Sequence, residues 1–268
     1  MTYIVKSVRY IAYLMLLALS SQTSVCDAGI TKTCPRSATF LVYLLDDSEY
    51  MRAPVGYQSE ETPFSEYLWQ QTTLYQQQSL KSHFVQEISK ASLNPVDFGA
   101  YIIQDNSYVF NAAESVAIAA SNATDANLKA FLEARYVSYK KYYEEAFRTW
   151  HIGDASGVKL GKECADYVNH ERNVALTMPS IYTIVSMIPC AKLWPWIGKQ
   201  IKADTGNFGV YTEWVRENFD PNNHGSDKYE TMINNAAAQG HIDKSQALKV
   251  YMNSMMGEVE FFNSISLY

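Results

Sequence analysis

From Phe64 to the C-terminus, apolar residues recur at intervals of three and four, and only short polar segments interrupt them. The stretch 94–123 opens with Asn94 and Pro95, a capping residue followed by the proline that a first helical turn tolerates. Its length and alanine content predict a central buried helix. The same periodicity predicts helices within 64–89, 124–150, 158–175, 179–203, 208–219, 225–239 and 243–264. Helix after helix with short links predicts an all-α bundle.

The chain before Phe64 divides into two parts. In residues 1–28, Lys6 and Arg9 precede an apolar run at 10–19 and a small, polar exit. That run is too short to span a bilayer and is typical of a signal peptide, although an uncleaved membrane anchor is the alternative. Residues 29–63 are an extension ahead of the helical domain at 64–268. The extension contains a short, apolar, β-leaning stretch at 38–45, followed by an acidic, loop-like segment. We therefore expect an exported protein without stable membrane insertion.

The cysteine count bears on export. Removal of residues 1–28 leaves Cys34, Cys164 and Cys190, an odd number. An exported chain with an odd count pairs between molecules or keeps a free thiol. The sequence "NAT" at 122–124 makes Asn122 a glycosylation acceptor if the chain passes through a eukaryotic secretory pathway.

Charge and histidine spacing argue against two classes of function. The net charge is -6, with no basic block beyond "YKKY" at 139–142, so nucleic-acid binding is not expected. Carboxylate-bridged di-iron sites use Glu-x-x-His, and none of the 5 histidines has an acidic residue three positions before it. Asp166 and His170 are four apart, but one pair does not make a site. We predict no metal.

Two acidic residues in apolar surroundings are candidates for chemistry. Asp105 and Tyr108 are three apart in an otherwise apolar helix and share a face. A carboxylate there either satisfies a neighbouring side chain or binds the amine or amidine of a ligand. Glu258 lies one turn before Phe261 and Phe262, and such an environment raises a carboxyl pKa towards neutrality for acid–base work. The alternative is an ordinary surface charge.

The segment "MIPCAKLWPW" (187–196) places Pro189 and Cys190 in a strongly apolar run. A thiol beside a possible helix break has three interpretations: a buried hydrophobe, half of a disulfide, or a nucleophile. The residue types alone leave these open.

Four segments in order resemble the TenA, or thiaminase II, family. The first is "SHFVQEISKASLNPVDFGAYIIQDNSYVF" (82–110), where the family has a His-Pro-Phe-Val-like segment and then a helix with Gln-Asp-x-x-Tyr. The others are "IPCAKLWPWIGKQI" (188–201), "YTEW" (211–214) and "EVEFF" (258–262). The likeness covers about residues 64–268. Two positions depart from the pattern. The proline of the family's His-Pro-Phe-Val-like segment is absent, because Phe84 directly follows His83. Asn218 stands where the family often has an active-site tyrosine.

The resemblance implies a role for each of five residues. Cys190 is the expected nucleophile and Glu258 the expected acid/base. Asp105 is expected to bind a pyrimidine, with Tyr108 and Tyr167 orienting the thiol and the ring. It also implies a heme-oxygenase-like fold without heme, usually a homotetramer, that hydrolyses 4-amino-2-methylpyrimidines without a metal or organic cofactor.

Two other classes of function stay open. A catalytically silent protein that captures thiamine-like pyrimidines would keep Asp105, Tyr108 and Tyr167 but would not need a reactive Cys190. A redox or metal oxygenase on the same fold is the third possibility, and the missing Glu-x-x-His spacing argues against it.

Overall fold

The computed structural model describes residues 62–149 and 151–264, and every regular element within those ranges is helical. This confirms the predicted all-α class. The predicted signal peptide and nearly all of the extension at 29–63 lie outside the described residues. Ten α-helices lie within those ranges: α1 Phe64–Gln71, α2 Thr73–Leu80, α3 His83–Ser89, α4 Pro95–Asn122, α5 Ala126–Thr149, α6 Lys162–Thr177, α7 Ile181–Ile201, α8 Thr212–Asn218, α9 Asp227–Ala238 and α10 Lys244–Asn263.

Short polar side chains fix several helix starts. The amide oxygen of Asn94 accepts a hydrogen bond of 2.9 Å from the backbone N–H of Val96, which caps α4 as its sequence predicts. The carboxylate of Asp243 caps α10 in the same way, accepting from Gln246 N at 2.9 Å. These caps satisfy backbone donors that no helical carbonyl can reach.

The periodic stretch 64–89 divides into three helices. The break after α1 lies at Thr72, whose hydroxyl donates to the carbonyl oxygens of Leu68 and Trp69 at 3.1 and 3.0 Å. The second break lies at Ser82, whose hydroxyl accepts from Val85 N at 3.4 Å and starts α3. Hydroxyl side chains that compete for backbone groups make such breaks favourable.

The helix predicted at 158–175 begins four residues later, at Lys162. The reason is the side-chain amide of Gln104 on α4, which bonds to the segment 159–161 just before α6 and keeps it from continuing the helix. Gln104 Nε2 donates to the carbonyl of Lys159 at 3.2 Å, and Gln104 Oε1 accepts from Gly161 N at 2.8 Å. The neighbouring helix therefore decides where α6 begins.

Helix α7 runs unbroken through both of its prolines, Pro189 and Pro195. Each proline removes one backbone hydrogen bond, which disfavours a helix interior. Burial offsets that cost, because most of α7 is enclosed and it packs against α6, α8, α9 and α10. The helix break that Pro189 could have caused is absent.

Aromatic packing ties the N-terminal helices to the rest. Phe84 is fully buried and stacks on Tyr101 with ring centroids 4.1 Å apart. Trp214 meets Phe84 edge-on at 5.9 Å, and Phe262 lies 6.0 Å from Phe84 on the other side. The cluster therefore joins α3, α4, α8 and α10 around the space where α6 and α7 also meet. Among the described residues, no helix is long and apolar enough to cross a membrane.

Candidate active site

The five residues singled out from the sequence converge between four helices. Asp105 and Tyr108 come from α4, Tyr167 from α6, Cys190 from α7 and Glu258 from α10. The Tyr108 and Tyr167 rings lie 4.9 Å apart, the Tyr167 hydroxyl bonds to Glu258, and the Cys190 thiol is hydrogen-bonded to Glu258. Asp105 and Glu258 act on each other electrostatically. The structure thus brings all five together.

Glu258 is the most constrained group of the site. Its side chain is buried, and its Oε1 accepts from the Tyr167 hydroxyl at 2.8 Å. Its Oε2 accepts from the indole Nε1–H of Trp194 at 3.2 Å. Burial raises the pKa of Glu258 to about 7, although bonds from Tyr167, Trp194 and Cys190 favour the charged form. A carboxyl poised near neutrality both accepts and returns protons at physiological pH.

A glycine lets Tyr167 reach Glu258. A Cβ on Gly257 would lie 2.6 Å from two ring carbons of Tyr167, closer than carbon atoms approach. The bare backbone of α10 therefore gives the Tyr167 ring its place directly beside the catalytic candidate. The sequence hint is the glycine immediately before Glu258.

Cys190 is half-buried and its thiol is free. Burial raises the thiol pKa well above its usual value, and the carboxylates of Glu258 and Asp105 raise it further. The resting group is consequently a neutral thiol that donates to Glu258. Such a thiol becomes a nucleophile only when a base takes its proton, and Glu258 is in hydrogen-bonding contact to do so.

The second described cysteine stands apart from this chemistry. Cys164 is buried on α6, and its thiol donates to the carbonyl oxygen of Gln104 at 3.6 Å. Burial raises the pKa of the Cys164 thiol to about 12. Cys164 and Cys190 are not bonded to each other, and Cys34 lies outside the described residues.

Asp105 is the third acidic member of the site. It is half-buried, and burial followed by the charge of Glu258 raises its pKa to about 7. The Tyr101 hydroxyl is buried without a hydrogen-bond partner. Burial raises its pKa, and the charges of Asp105 and Glu258 raise it further. These oxygens provide hydrogen-bonding capacity for a ligand.

Sequence reasoning missed Glu171. It lies on α6 one turn after Tyr167, is buried, and its Oε1 accepts from the Tyr108 hydroxyl at 2.8 Å. Burial raises its pKa to about 8, and the charge of Glu258 adds to the rise. The i, i+4 spacing to Tyr167 was the available signal, since it places both side chains on one helix face.

Trp194 and Asn218 both bond to groups of the protein itself. Trp194 donates to Glu258 and stacks on Phe219 with centroids 4.8 Å apart. Asn218 turns its amide back onto its own helix, where Nδ2 donates to the Trp214 carbonyl at 2.8 Å.

His170 and Asp166 each have a partner other than one another. His170 Nε2 lies 3.1 Å from the Ser254 hydroxyl, while the Asp166 carboxylate pairs with Lys162 on the helix surface. The Asp166–His170 spacing therefore does not produce a shared site. Within 62–149 and 151–264, no group of three or more His, Cys, Asp or Glu residues is placed to hold a metal ion.

Comparison with known proteins shows the family of the chain. The sequence profile of the TENA/THI-4/PQQC family matches residues 69–239. The chain belongs to this family. Glu258 lies beyond the matched segment, so its place in the site comes from the structure. No curated protein matches the chain.

Solved structures of TenA proteins share the fold. A TenA homologue from P. horikoshii OT3 superimposes with a TM-score of 0.66 at 17% identity, covering 76% of this chain and 98% of its own. A Sulfolobus solfataricus P2 protein assigned as a TenA-like thiaminase gives 0.58 at 18% identity, covering 75% and 95%. A protein from Silicibacter sp. TM1040 described as a TenA family transcription regulator gives 0.61 at 15%, covering 75% and 96%.

The raised carboxyl pKa values predict how stability depends on pH. Asp105, Glu258 and Glu171 titrate near 7, 7 and 8 in the folded protein, against ordinary values of 3.8, 4.5 and 4.5. The folded state therefore binds more protons between these limits, and its stabilisation is present below about pH 4 and lost as pH rises through 7 to 8. We expect Tm to be lower at pH 8.5 than at pH 5.5 by at least about 5 °C.

Calorimetry of wild type and Glu171→Gln across this range checks the prediction. The variant has no carboxyl to titrate at position 171, so its Tm should fall less steeply between pH 5.5 and 8.5. Equal slopes for the two proteins would contradict the assignment of a raised pKa to Glu171.

Proposed function

We propose that the protein hydrolyses thiamine-related aminopyrimidines, with Cys190 as nucleophile and Glu258 as acid/base. The observation that carries the proposal is the Cys190 thiol donating to a buried carboxyl that Tyr167 and Trp194 hold in place. Family membership supports it, as does the likeness to a protein assigned as a TenA-like thiaminase.

Each site residue has a step in the proposed reaction. Asp105 hydrogen-bonds the amino group and a ring nitrogen of the pyrimidine and fixes its orientation. Glu258 takes the thiol proton as the sulfur of Cys190 bonds to an electron-poor ring carbon, and the leaving group departs from the side methylene. Water then bonds to that methylene, the carbon–sulfur bond breaks, and the thiol regains its proton. In the net reaction the hydroxyl group of water replaces the amino group, which takes up a proton and leaves as ammonia, or the thiazolium group, which leaves as thiazole with release of a proton.

A catalytically silent pyrimidine-binding protein is the second candidate. The observation that favours it is the strongly raised pKa of Cys190, since a neutral thiol is a poor nucleophile. Asp105, Tyr108 and Tyr167 would serve binding equally well in either protein. Turnover separates the two functions, because only the hydrolase forms a product.

The deciding experiment is mass spectrometry of purified protein incubated separately with thiamine and with 4-amino-5-aminomethyl-2-methylpyrimidine. Labelling with H₂¹⁸O should place the heavy oxygen in a hydroxymethylpyrimidine product, and incubations without protein supply the background. Ligand that raises Tm without any product would establish the binding-protein function instead.

Export and assembly belong to the proposal as well. We propose secretion from the pattern of residues 1–28, which N-terminal sequencing of the mature chain tests. Asn122, the predicted glycosylation acceptor, is exposed at the end of α4. The homotetramer that the resemblance implies remains a prediction for light scattering.

A further inference from the structure

A second buried carboxyl, Glu171, faces the site from behind Tyr108. Its side chain is only 3% exposed, and its Oε1 lies 2.8 Å from the Tyr108 hydroxyl. Tyr108 is only half-buried and lies one helical turn from Asp105, so it is the more accessible member of this pair. Glu171 can therefore act on a bound molecule through Tyr108.

The bond to Glu171 decides what Tyr108 offers to a ligand. A phenol has one proton and two lone pairs, so a proton given to Glu171 leaves only acceptor capacity for the site. The Tyr108 hydroxyl also lies within hydrogen-bonding range of Tyr167. One proton cannot fully serve both, and the Tyr108 hydroxyl donates it to Oε1 of Glu171 at 2.8 Å.

A small recess lies beside Glu171 and is close to the least volume that holds a water molecule. Ser115, Thr183 and Ser186 are among the residues that line it, and the buried Thr183 hydroxyl has no hydrogen-bond partner. Glu171 lines the same recess, while its Oε1 accepts from the Tyr108 hydroxyl.

The second tyrosine of the site is arranged in the same way. Tyr167 donates its proton to Glu258 at 2.8 Å, so its oxygen too can only accept from a ligand. Together with the carboxyl of Asp105, the two phenols present acceptors towards the substrate. Such a surface binds N–H groups and leaves a ligand without them unsatisfied.

We propose that Glu171 is a positioning residue that locks Tyr108 as an acceptor and so makes the site select substrates whose leaving group carries N–H. This inference rests on the proposed function. The aminomethyl group of 4-amino-5-aminomethyl-2-methylpyrimidine has N–H to donate. The quaternary thiazolium nitrogen of thiamine has none, although both molecules carry the same pyrimidine. Comparison of the two ligands therefore isolates the leaving group.

The test is calorimetric binding of the two ligands in a Cys190→Ala background, which prevents turnover. Glu171→Gln keeps an acceptor oxygen, so the ratio of the two Kd values should stay within about threefold of the background. Glu171→Met fills the space without an acceptor, and Tyr108→Phe removes the phenol. Each should weaken binding of the amine about tenfold and of thiamine less than threefold, as loss of one hydrogen bond to a charged group implies.

The outcomes distinguish the inference from the function beneath it. Equal loss for both ligands in Glu171→Met, or an unchanged ratio in Tyr108→Phe, would overturn the role of Glu171 while leaving the pyrimidine site intact. If the Cys190→Ala background binds neither ligand, the proposed function and the inference fail together. Should Glu171→Met not fold, Glu171→Gln and Tyr108→Phe decide the matter.

Discussion

Replacing Cys190 with alanine is expected to lower kcat/KM for the aminopyrimidine by at least about 10³-fold, because it removes the proposed covalent step. The site should still bind, since Asp105, Tyr108 and Tyr167 do not depend on the sulfur. Kinetics with the aminomethylpyrimidine and with thiamine, together with calorimetric Kd values, measure the two effects separately. Loss of turnover with retained binding would identify Cys190 as the nucleophile.

Cys164→Ala is the matched control. Cys164 is also a free, buried thiol, but it bonds to the backbone of Gln104 instead of to an acidic side chain. Its replacement should leave kcat/KM within about threefold and cost roughly 1 kcal/mol of stability from lost packing. Full activity in Cys190→Ala would refute covalent catalysis, and equal losses in both variants would point to a general effect on folding.

The raised pKa of Cys190 and the proposed chemistry are compatible because of Glu258. A thiol surrounded by Asp105 and Glu258 does not ionise spontaneously near pH 7. Glu258 titrates near the same pH and holds the thiol in a hydrogen bond, so proton transfer and attack on the ring can occur together. Protonation of Glu258 below about pH 7 removes the base. The protonation state of this one carboxyl therefore controls whether the Cys190 thiol can lose its proton and react.

The helical fold was predictable because its signals are local. The periodicity of 94–123 and its Asn-Pro start gave α4 nearly to the residue, as Pro95–Asn122. The breaks that sequence reasoning missed depend on single hydroxyls, at Thr72 and Ser82. The late start of α6 depends on Gln104 from another helix, and no local pattern contains that contact.

The site was predictable to the extent that its residues stand in recognisable short patterns. Asp105, Cys190 and Glu258 each drew notice as polar groups in apolar runs, and the structure joins them. Glu171 was missed because the surrounding sequence, "NHERNV" (169–174), is typical of a polar, solvent-exposed helix face. Its burial comes from the packing of α6 against α4 and α7, which only the tertiary arrangement reveals.

Gly198→Ala is expected to destabilise the protein by at least about 3 kcal/mol and to lower Tm by roughly 6–12 °C. A Cβ at position 198 would overlap the carbonyl oxygen of Phe219 and lie 2.8 Å from its carbonyl carbon. That carbonyl ends α8 and moves only with its backbone. Because the Phe219 ring stacks on Trp194, which bonds to Glu258, the displacement should also reach the site. Calorimetry and kcat/KM measure the two effects.

Gly153→Ala provides the comparison, since a Cβ there meets no atom within 4 Å. Its Tm should stay within about 2 °C of wild type, as expected for a surface substitution. A Gly198→Ala protein with unchanged Tm would show that α7 and α8 do not approach as closely as the structure places them. A lowered Tm with unchanged activity at a temperature where the variant is folded would separate the fold from the site. That result would mean Trp194 keeps its bond to Glu258 without support from Phe219.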